Sequence, residues 1–192
     1  MDGWWAVSYV MLWGLVIALC LVVVALARQI GTLHMRLGPR GALEMDDEGP
    51  ELGSEAPPIP THDITGEPVV IGGADQLLMF VSPGCHVCEQ VLPSVGAVAE
   101  EGRLAPYVIT DVDEEETTLT FKHKRVAAPV VPGIGVAQAY EVPGTPYVVI
   151  VDRDGLVAAK GTVNNLEQIE GLIDSARRRS TEGFHPERET SR

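Results

Sequence analysis

The sequence predicts an α/β domain behind a single N-terminal transmembrane helix. Residues 4–27 form an apolar run that no charged residue interrupts. Further along, short runs typical of buried strands alternate with stretches of helical periodicity. Two of the three cysteines, Cys85 and Cys88, lie where one such strand passes into a helix. This alternation is typical of a sheet covered by helices.

The apolar run is long enough to be one membrane-spanning helix. A helix over residues 4–27 would be about 36 Å long, whereas the hydrocarbon core of a bilayer is about 30 Å thick. A cleaved signal peptide is the alternative, because Ala25-Leu26-Ala27 resembles a cleavage site. Only Asp2 carries a side-chain charge before the run, and the run is longer than a signal core. We therefore expect residues 1–30 to remain as an anchor in membrane lipid, with Cys20 as a small residue of the helix.

A juxtamembrane segment and a linker are predicted over residues 31–60. The part after Arg40 is rich in proline and acidic residues and lacks basic ones, a composition typical of a solvated, partly extended chain. A short hairpin follows, with strands near residues 61–64 and 68–71. We expect the folded domain to span residues 61–178.

The cysteine pair is the strongest functional signal in the chain. Residues 77–81 are all apolar and predict a buried strand, and Pro83-Gly84 predicts the turn that leaves it. Apolar residues spaced as one helical face follow, so Cys85 falls at a helix N-terminus and Cys88 one turn inside. Unpaired backbone N–H groups at that end favour a thiolate, which makes Cys85 the attacking sulfur. Strand, turn and Cys-x-x-Cys together predict a thioredoxin-like redox site in a three-layer α/β sandwich, with Cys85 and Cys88 as the catalytic residues.

Two other uses of a cysteine pair compete with redox chemistry. A zinc site needs four ligands, but Cys20 lies in the apolar run and His62, His123 and His185 are scattered without ligand spacing, so we predict no metal. Two core cysteines that never react are the remaining alternative. Since a redox-active disulfide is its own electron carrier, we also predict no cofactor.

A proline loop provides the second part of the predicted site. Thr145 and Pro146 precede the strand-like residues 148–151, the place where thioredoxin-like folds carry a cis-proline loop that faces the cysteines. A cis X-Pro bond is rigid and lacks an N–H group, so it can hold the neighbouring backbone against an extended substrate segment. We therefore expect Thr145 and Pro146 to bind substrate. An ordinary turn proline before a strand is the alternative.

The other elements follow from the same patterns. We predict a strand at residues 107–110, a polar helix at 114–125, a short helix at 134–140 and a hairpin that joins strands 148–151 and 157–162 through Asp152-Arg153-Asp154-Gly155. A last helix is expected to be capped by Asn164 and to end at the arginines of residues 177–179. Residues 179–192 are expected to be a disordered tail.

Composition limits the partners and raises a question of orientation. The formal net charge is −13, and every acidic residue except Asp2 lies at or after Glu44, which argues against nucleic acid as a partner.

The orientation in the membrane is predicted differently by two features. Arg28, Arg36 and Arg40 follow the span, and this bias alone favours a cytoplasmic domain. Disulfides persist in oxidising compartments, which favours the opposite side. We expect the domain on the extracytoplasmic, periplasmic side.

Several segments outside the cysteine pair are shared with a known family. They are Ala25-Leu26-Ala27-Arg28-Gln29-Ile30-Gly31, Arg40-Gly41-Ala42-Leu43, Ser82-Pro83 before the cysteines, and Pro146-Tyr147 followed by Lys160-Gly161. On these residues the chain resembles the MauD family of methylamine utilisation proteins, which are membrane-anchored and thioredoxin-like. The resemblance implies the TlpA/peroxiredoxin-type variant of the fold, which begins with a hairpin. It also implies a role in maturing the exported, disulfide-rich small (beta) subunit of methylamine dehydrogenase, and an unknown redox partner that recycles the cysteine pair.

The residues between the cysteines depart from the family pattern. Family members have proline there, whereas this chain has His86-Val87. Protonated His86 is a candidate for stabilising the Cys85 thiolate, and an exposed histidine without a partner is the alternative. The sequence leaves open whether the pair acts as oxidant, isomerase or reductant.

Two further functions fit the same architecture. A membrane-anchored thiol reductase of the cytochrome c maturation type has the same tether and domain plan. A non-catalytic assembly chaperone would bind its partner without using the cysteines. A peroxidase of the peroxiredoxin type is disfavoured, because the Pro-x-x-x-Thr/Ser-x-x-Cys arrangement is missing around Cys85.

Overall fold

The computed structural model describes the backbone of residues 3–36 and 48–182, with side chains at residues 3–5, 7–22 and 48–181. The chain divides into two compact units between residues 39 and 40. The first unit contains the helix α1 (Gly3–Arg36). Within the described residues, Gly3–Val22 is long and apolar enough to cross a membrane, with a mean hydropathy of 2.2.

The second unit is built on two sheets. A two-stranded antiparallel hairpin consists of β1 (Ile59–His62) and β2 (Pro68–Ile71). The main sheet has five strands in the order β5-β4-β3-β6-β7. These are β3 (Gln76–Val81), β4 (Ala105–Thr110), β5 (Val130–Pro132), β6 (Tyr147–Val151) and β7 (Val157–Thr162). Strands β3, β4 and β5 are parallel, whereas β6 and β7 join as an antiparallel hairpin.

The central strand β3 explains why its sequence is apolar throughout. Its side chains alternate between two core clusters, with Leu77, Met79 and Val81 on one face and Leu78 and Phe80 on the other. Because both faces are covered, all six residues of the strand are buried.

Helices cover both faces of the sheet and give three layers. The first face packs against α2 (His86–Gly102), α3 (Glu114–Phe121) and α5 (Leu166–Glu182), and the second packs against α4 (Ile134–Ala139). The thioredoxin-like α/β sandwich with an N-terminal hairpin is thus confirmed.

Four predicted features differ from the structure at the level of single elements. The first strand of the hairpin spans Ile59–His62 instead of residues 61–64. Helix α3 ends at Phe121 instead of reaching residue 125. The side chain that caps α5 is Asn165, whose Oδ1 accepts the backbone N–H of Gln168 at 3.0 Å, and not Asn164. Helix α5 continues to Glu182, so residues 179–182 are helical rather than part of a disordered tail. The rest of the predicted tail, residues 183–192, lies outside the described residues.

The acidic segment before the hairpin is also different from the solvated linker that its composition predicts. From Glu48 onward it packs against strand β7, because its backbone finds hydrogen-bond partners there. Gly53 donates its N–H to Val157 O at 2.8 Å, and Val157 in turn donates to Ser54 O at 2.9 Å. Ala56 is buried on the second face of the sheet. We call residues 48–56 the strap.

The start of the strap is fixed by two side chains of the main sheet. The carbonyl oxygen of Glu48 accepts a hydrogen bond from Tyr147 Oη at 3.1 Å and another from Lys160 Nζ at 2.8 Å. Lys160 is only 1% exposed although it is a lysine in a central position of β7. Gly49 has a φ of +76°, and a β-carbon there would collide with the Tyr147 hydroxyl. The strap is therefore held against the sheet from Glu48 onward.

Candidate redox site

Cys85 is the N-cap residue of α2. Its backbone is extended (φ −73°, ψ 102°), and its sulfur accepts the N–H of Cys88 at 3.2 Å. The two sulfurs form a disulfide with 5.3 Å between the Cα atoms. Both cysteines thus occupy the places that the strand-turn-helix pattern predicts, and the structure brings them together.

The two cysteines differ in their exposure. Cys85 is half-buried, whereas Cys88 is 1% exposed and belongs to the core cluster beneath α2. An incoming sulfur therefore reaches Cys85 more easily than Cys88. This asymmetry is what an attacking and a resolving cysteine require.

A hydrogen-bonded loop holds Cys85 at the carboxyl end of β3. Cys85 donates its N–H to Ser82 O at 3.2 Å, and the Ser82 hydroxyl lies 2.7 Å from each carboxylate oxygen of Asp111. Asp111 follows the neighbouring strand β4 and donates its own N–H to Val81 O at 3.2 Å. Sequence reasoning missed the Ser82–Asp111 contact, because nothing in the local pattern indicates that residues 29 positions apart share a sheet edge.

The predicted proline loop lies at the same edge of the sheet. The Thr145–Pro146 peptide bond is cis, in agreement with the sequence-based expectation. Tyr147, the next residue, pairs with Phe80 of β3 in an antiparallel register. Strand β3 leaves the sheet toward Cys85 where β6 enters it, so the loop and the cysteine turn meet at one end of these two strands. Thr145 is half-buried and Pro146 is buried.

His86 is exposed on the first turn of α2. Its Nε2 lies 3.0 Å from Nε2 of Gln90, one turn further along the helix. The contact that the structure shows for this ring is with Gln90. Its only link to the Cys85 sulfur is that the two residues are adjacent in the chain.

A carboxylate and a lysine form an ion pair beside the cysteines. Glu89 receives a hydrogen bond from Lys124, with 2.8 Å between Oε1 and Nζ. This hydrogen bond and the positive charge of Lys124 lower the pKa of Glu89 below its ordinary value, with a smaller contribution from His86. Lys124 belongs to the segment after α3, so the pair connects that segment to the first turn of α2.

The described side chains form no metal-ligand cluster. Among residues 3–5, 7–22 and 48–181, no three His, Cys, Asp or Glu side chains lie close enough together to hold a metal ion. His62 instead lies 3.5 Å from Glu114. The third cysteine, Cys20, is exposed on α1.

Comparison with known proteins agrees with this geometry. Residues 69–177 match the family described as thioredoxin-like domain. The chain is 34% identical over 182 residues to the methylamine utilization protein MauD of Methylobacillus flagellatus, an alignment that covers 92% of this chain and 88% of that protein. It is 35% identical over 176 residues to the MauD protein of Methylophilus methylotrophus, which covers 88% and 83% of the two chains.

Solved structures show the same fold at low sequence identity. A Chlorobium tepidum protein described as thiol:disulfide interchange protein DsbE has a TM-score of 0.57 and 19% identity, over 67% of this chain and 97% of that one. A thiol:disulfide interchange protein from Bacteroides sp. has a TM-score of 0.50 and 18% identity, over 73% and 97%. At these identities the likeness establishes the fold.

The geometry and the relatives lead to one assignment. A half-buried cysteine caps a helix and is bonded to a buried cysteine one turn away, on a thioredoxin-like domain that supports dithiol–disulfide exchange. The candidate span, the redox pair and the cis-proline loop occur together in a chain that aligns with MauD proteins over about nine-tenths of its length. The chain therefore belongs to the MauD family of methylamine utilization proteins and carries the thioredoxin-like thiol–disulfide oxidoreductase domain of that family.

Proposed function

We propose that this protein is a membrane-tethered thiol–disulfide oxidoreductase that helps to form the disulfides of the small subunit of methylamine dehydrogenase. The observation that carries the redox part is the asymmetry of the pair, a half-buried Cys85 at the N-cap of α2 bonded to a buried Cys88. The family resemblance supports the target, since the relatives are named for methylamine utilization. Proposed domain limits are a span over residues 4–27, a thioredoxin-like domain over 61–178 and the intervening tether.

In the oxidising direction the proposed exchange has two steps. A substrate thiolate attacks the sulfur of Cys85, the Cys85–Cys88 bond breaks, and Cys88 leaves as a thiolate. A second substrate thiolate then attacks the substrate sulfur of the mixed disulfide and releases Cys85. The substrate loses two electrons and gains a disulfide, and the pair becomes a dithiol. A separate redox partner must then reoxidise it.

Thr145 and Pro146 are proposed to hold the substrate. Two observations support this assignment: the register of β3 and β6 brings the loop to the cysteine end of the sheet, and Thr145 is accessible there while Pro146 is buried. A half-buried loop at this edge offers backbone groups to an extended segment next to the reacting sulfur. Main-chain hydrogen bonds of this kind bind extended peptides without requiring one sequence.

The domain is proposed to face the extracytoplasmic side. The exchange reaction supports this assignment, because protein disulfides persist in oxidising compartments. Arg28, Arg36 and Arg40 follow the apolar run and favour the opposite orientation. Orientation is therefore a separate proposal with its own test.

Trapping of the mixed disulfide tests the proposed function. In a Cys20→Ser background, Cys88→Ser leaves Cys85 as the one cysteine of the chain. Its thiolate can attack a disulfide of the substrate, which releases one substrate sulfur as a thiolate, and the mixed disulfide then lacks the Cys88 thiolate that would resolve it. A covalent complex with the small subunit should then accumulate in the native host and disappear on reduction. The measurement is affinity purification from membranes without reductant, followed by mass spectrometry of the released partner.

The matched control is Cys85→Ser in the same background. It also leaves one cysteine, but that cysteine is the buried Cys88, so little or no complex should form. If Cys88→Ser captured cytochrome c apoproteins, the protein would be a thiol reductase of the cytochrome c maturation type and the small subunit would not be its target. Normal dehydrogenase maturation in both mutants would contradict redox function altogether.

A further inference from the structure

A run of basic residues stands out in this acidic chain. Lys122, His123, Lys124 and Arg125 are consecutive, and all four are exposed. The chain has only 14 lysines and arginines and a formal net charge of −13. Lys122 is the C-cap of α3, and cations at a helix C-terminus are favourable. That effect is confined to the last turn of an eight-residue helix and does not account for a run of four. We call residues 122–125 the basic run.

Two contacts place the basic run beside the redox helix. Lys124 reaches Glu89 in the first turn of α2, with 2.8 Å between Nζ and Oε1. Further along, the backbone of Ala127 approaches Gly96 so closely that a β-carbon on Gly96 would collide with the Ala127 carbonyl oxygen. The segment therefore runs along α2, from Gly96 toward the end of the helix that Cys85 caps.

Three of the four side chains are available to a partner. Lys124 is committed to Glu89, whereas Lys122, His123 and Arg125 have no ion pair with any of the described residues. The glutamates of the first turn of α3 lie at the other end of that helix, about 12 Å away along its axis. Two formal positive charges, those of Lys122 and Arg125, thus lie next to α2 without an ion-pair partner among the described residues.

We propose that the basic run is a docking surface for acidic side chains that flank the reacting cysteine of the substrate protein. This inference rests on the proposed function and adds the chemistry of the recognised segment. A polypeptide whose sulfur reaches Cys85 comes to the N-terminal end of α2, and Lys124 is held next to the first turn of that helix. Opposite charges at that place raise the rate of encounter and orient the segment.

The acidic strap of the same chain does not fit as the occupant. Its residues are bound to β7, at one edge of the five-stranded sheet. The segment that carries the basic run leads directly into β5, at the opposite edge. The strap is therefore not the occupant, and the requirement that the sulfur of the occupant reach Cys85 favours a polypeptide of another molecule.

Cysteine peptides test the docking surface with the full-length protein in neutral lipid discs. Three synthetic peptides contain the same pair of reduced cysteines, flanked by four glutamates, four glutamines or four lysines. The Cys85–Cys88 disulfide form of the protein oxidises each peptide to an intramolecular disulfide and becomes the dithiol. At low salt the glutamate peptide should react about tenfold faster than the glutamine peptide, and the lysine peptide more slowly. The difference should shrink at about 0.5 M salt, where charges are screened within a few ångströms.

The variant Lys122→Ser/Arg125→Ser should reduce the rate with the glutamate peptide to that with the glutamine peptide and leave the latter unchanged. Arg153→Ser/Arg178→Ser is the matched control, because it removes the same charge from exposed residues near the opposite end of β6 and the end of α5. It should keep the preference for the glutamate peptide. Both double variants keep the Lys124–Glu89 pair.

Several outcomes would overturn the proposal, and they are distinguishable. Equal rates with all three peptides would refute the docking surface while leaving exchange intact. No reaction with any peptide would refute the proposed function and the docking surface with it. If anionic lipid in the discs abolished the advantage of the glutamate peptide in the parent protein, the basic run would bind headgroups instead.

Discussion

Cys85 combines two roles in one atom. Its sulfur caps α2 by accepting the N–H of Cys88, and it forms the disulfide with the same residue. A cap at this position normally comes from an oxygen of Ser, Thr, Asp or Asn. When the disulfide is reduced, the sulfur remains at the end of α2 where backbone N–H groups point outward. Negative charge is favourable there, which suits a cysteine that reacts as a thiolate.

The ion pair of Glu89 and Lys124 gives a prediction at the scale of one residue. Lys124→Gln should raise the pKa of Glu89 toward its ordinary value, because the hydrogen bond and charge that lower it are lost. In the parent protein the pKa of Glu89 is lower in the folded state than in the unfolded state. The ion pair therefore stabilises the fold at pH values above the unfolded-state pKa of Glu89. This stabilisation is lost as the pH falls through the folded-state pKa. NMR titration of labelled glutamate carboxyls measures the change. Lys122→Gln is the control and should leave Glu89 unaffected; equal titration in Lys124→Gln and the parent would refute the assignment.

His86 gives a second prediction at this scale. We expect protonated His86 to favour the Cys85 thiolate, since the two residues are adjacent at the start of α2. In the Cys20→Ser/Cys88→Ser background, His86→Gln should slow alkylation of Cys85 by uncharged iodoacetamide severalfold at about pH 6. At about pH 9 the two rates should agree, because imidazole side chains in general are neutral at that pH. If His86→Gln left the alkylation rate unchanged at about pH 6, His86 would contact Gln90 without affecting the Cys85 thiolate.

Helix α2 carries the cysteines and also sets the position of its neighbours. Its buried side is a continuous apolar stripe, and Arg103 ends it in the left-handed conformation (φ 59°), with its N–H bonded to Glu100 O. Pro93 lies inside the helix at an exposed position. At Gly96 the absence of a side chain allows the segment after α3 to pass close by. The helix therefore fixes both the redox pair and the segment beside it.

A substitution at Gly96 tests this close approach. In Gly96→Ala the new methyl would meet the carbonyl oxygen and the β-carbon of Ala127, so the free energy of unfolding should fall by about 1–3 kcal/mol. Gly135→Ala in α4 is the matched control, because no atom lies within 4 Å of the added carbon. It should be neutral or stabilise by up to about 1 kcal/mol. Denaturant unfolding of the full chain in detergent micelles measures both. If Gly96→Ala were as stable as the control, Ala127 would not be held against α2.

At the scale of the whole molecule, the strap is part of the redox domain. Glu48 is tied to Tyr147 and Lys160, and Tyr147 directly follows the proline loop. Residues 48–56 therefore extend the folded domain ahead of the hairpin, along β7.

The side of the membrane on which the domain lies is the corresponding prediction. A reporter that fluoresces only in the cytoplasm should stay dark when fused after Arg192, whereas an enzyme that is active only after export should be active at the same position. The physical reason is that the exchange reaction needs a compartment in which disulfides persist. Alkaline carbonate should leave the protein in the membrane fraction, because Gly3–Val22 is apolar and long enough to span. A fluorescent fusion would show that the arginines after the run determine the orientation.

Local patterns were sufficient for much of the fold and for the cysteine pair. The apolar β3, the periodic face of α2 and the turn at Asp152 each depend on neighbouring residues, so sequence spacing predicts them. The position of Cys85 at the start of α2 follows from the same spacing, as do the limits of β7. The first helix and the redox pair could therefore be predicted from spacing and residue type.

The tertiary structure decided the features that depend on residues far apart in the chain. Strand β5 has only three residues and becomes a strand by pairing with β4. The strap has the composition of a linker, yet it is ordered because β7 offers unpaired backbone groups and Lys160 needs a polar partner in the interior. The Ser82–Asp111 contact and the position of Lys124 beside Glu89 likewise arise only when the strands and helices pack. The sequence alone determined which residues form the cysteine pair, because their position at the start of a helix depends on neighbours along the chain. What surrounds the pair depended on hydrogen bonds and contacts that only the folded sheet brings together.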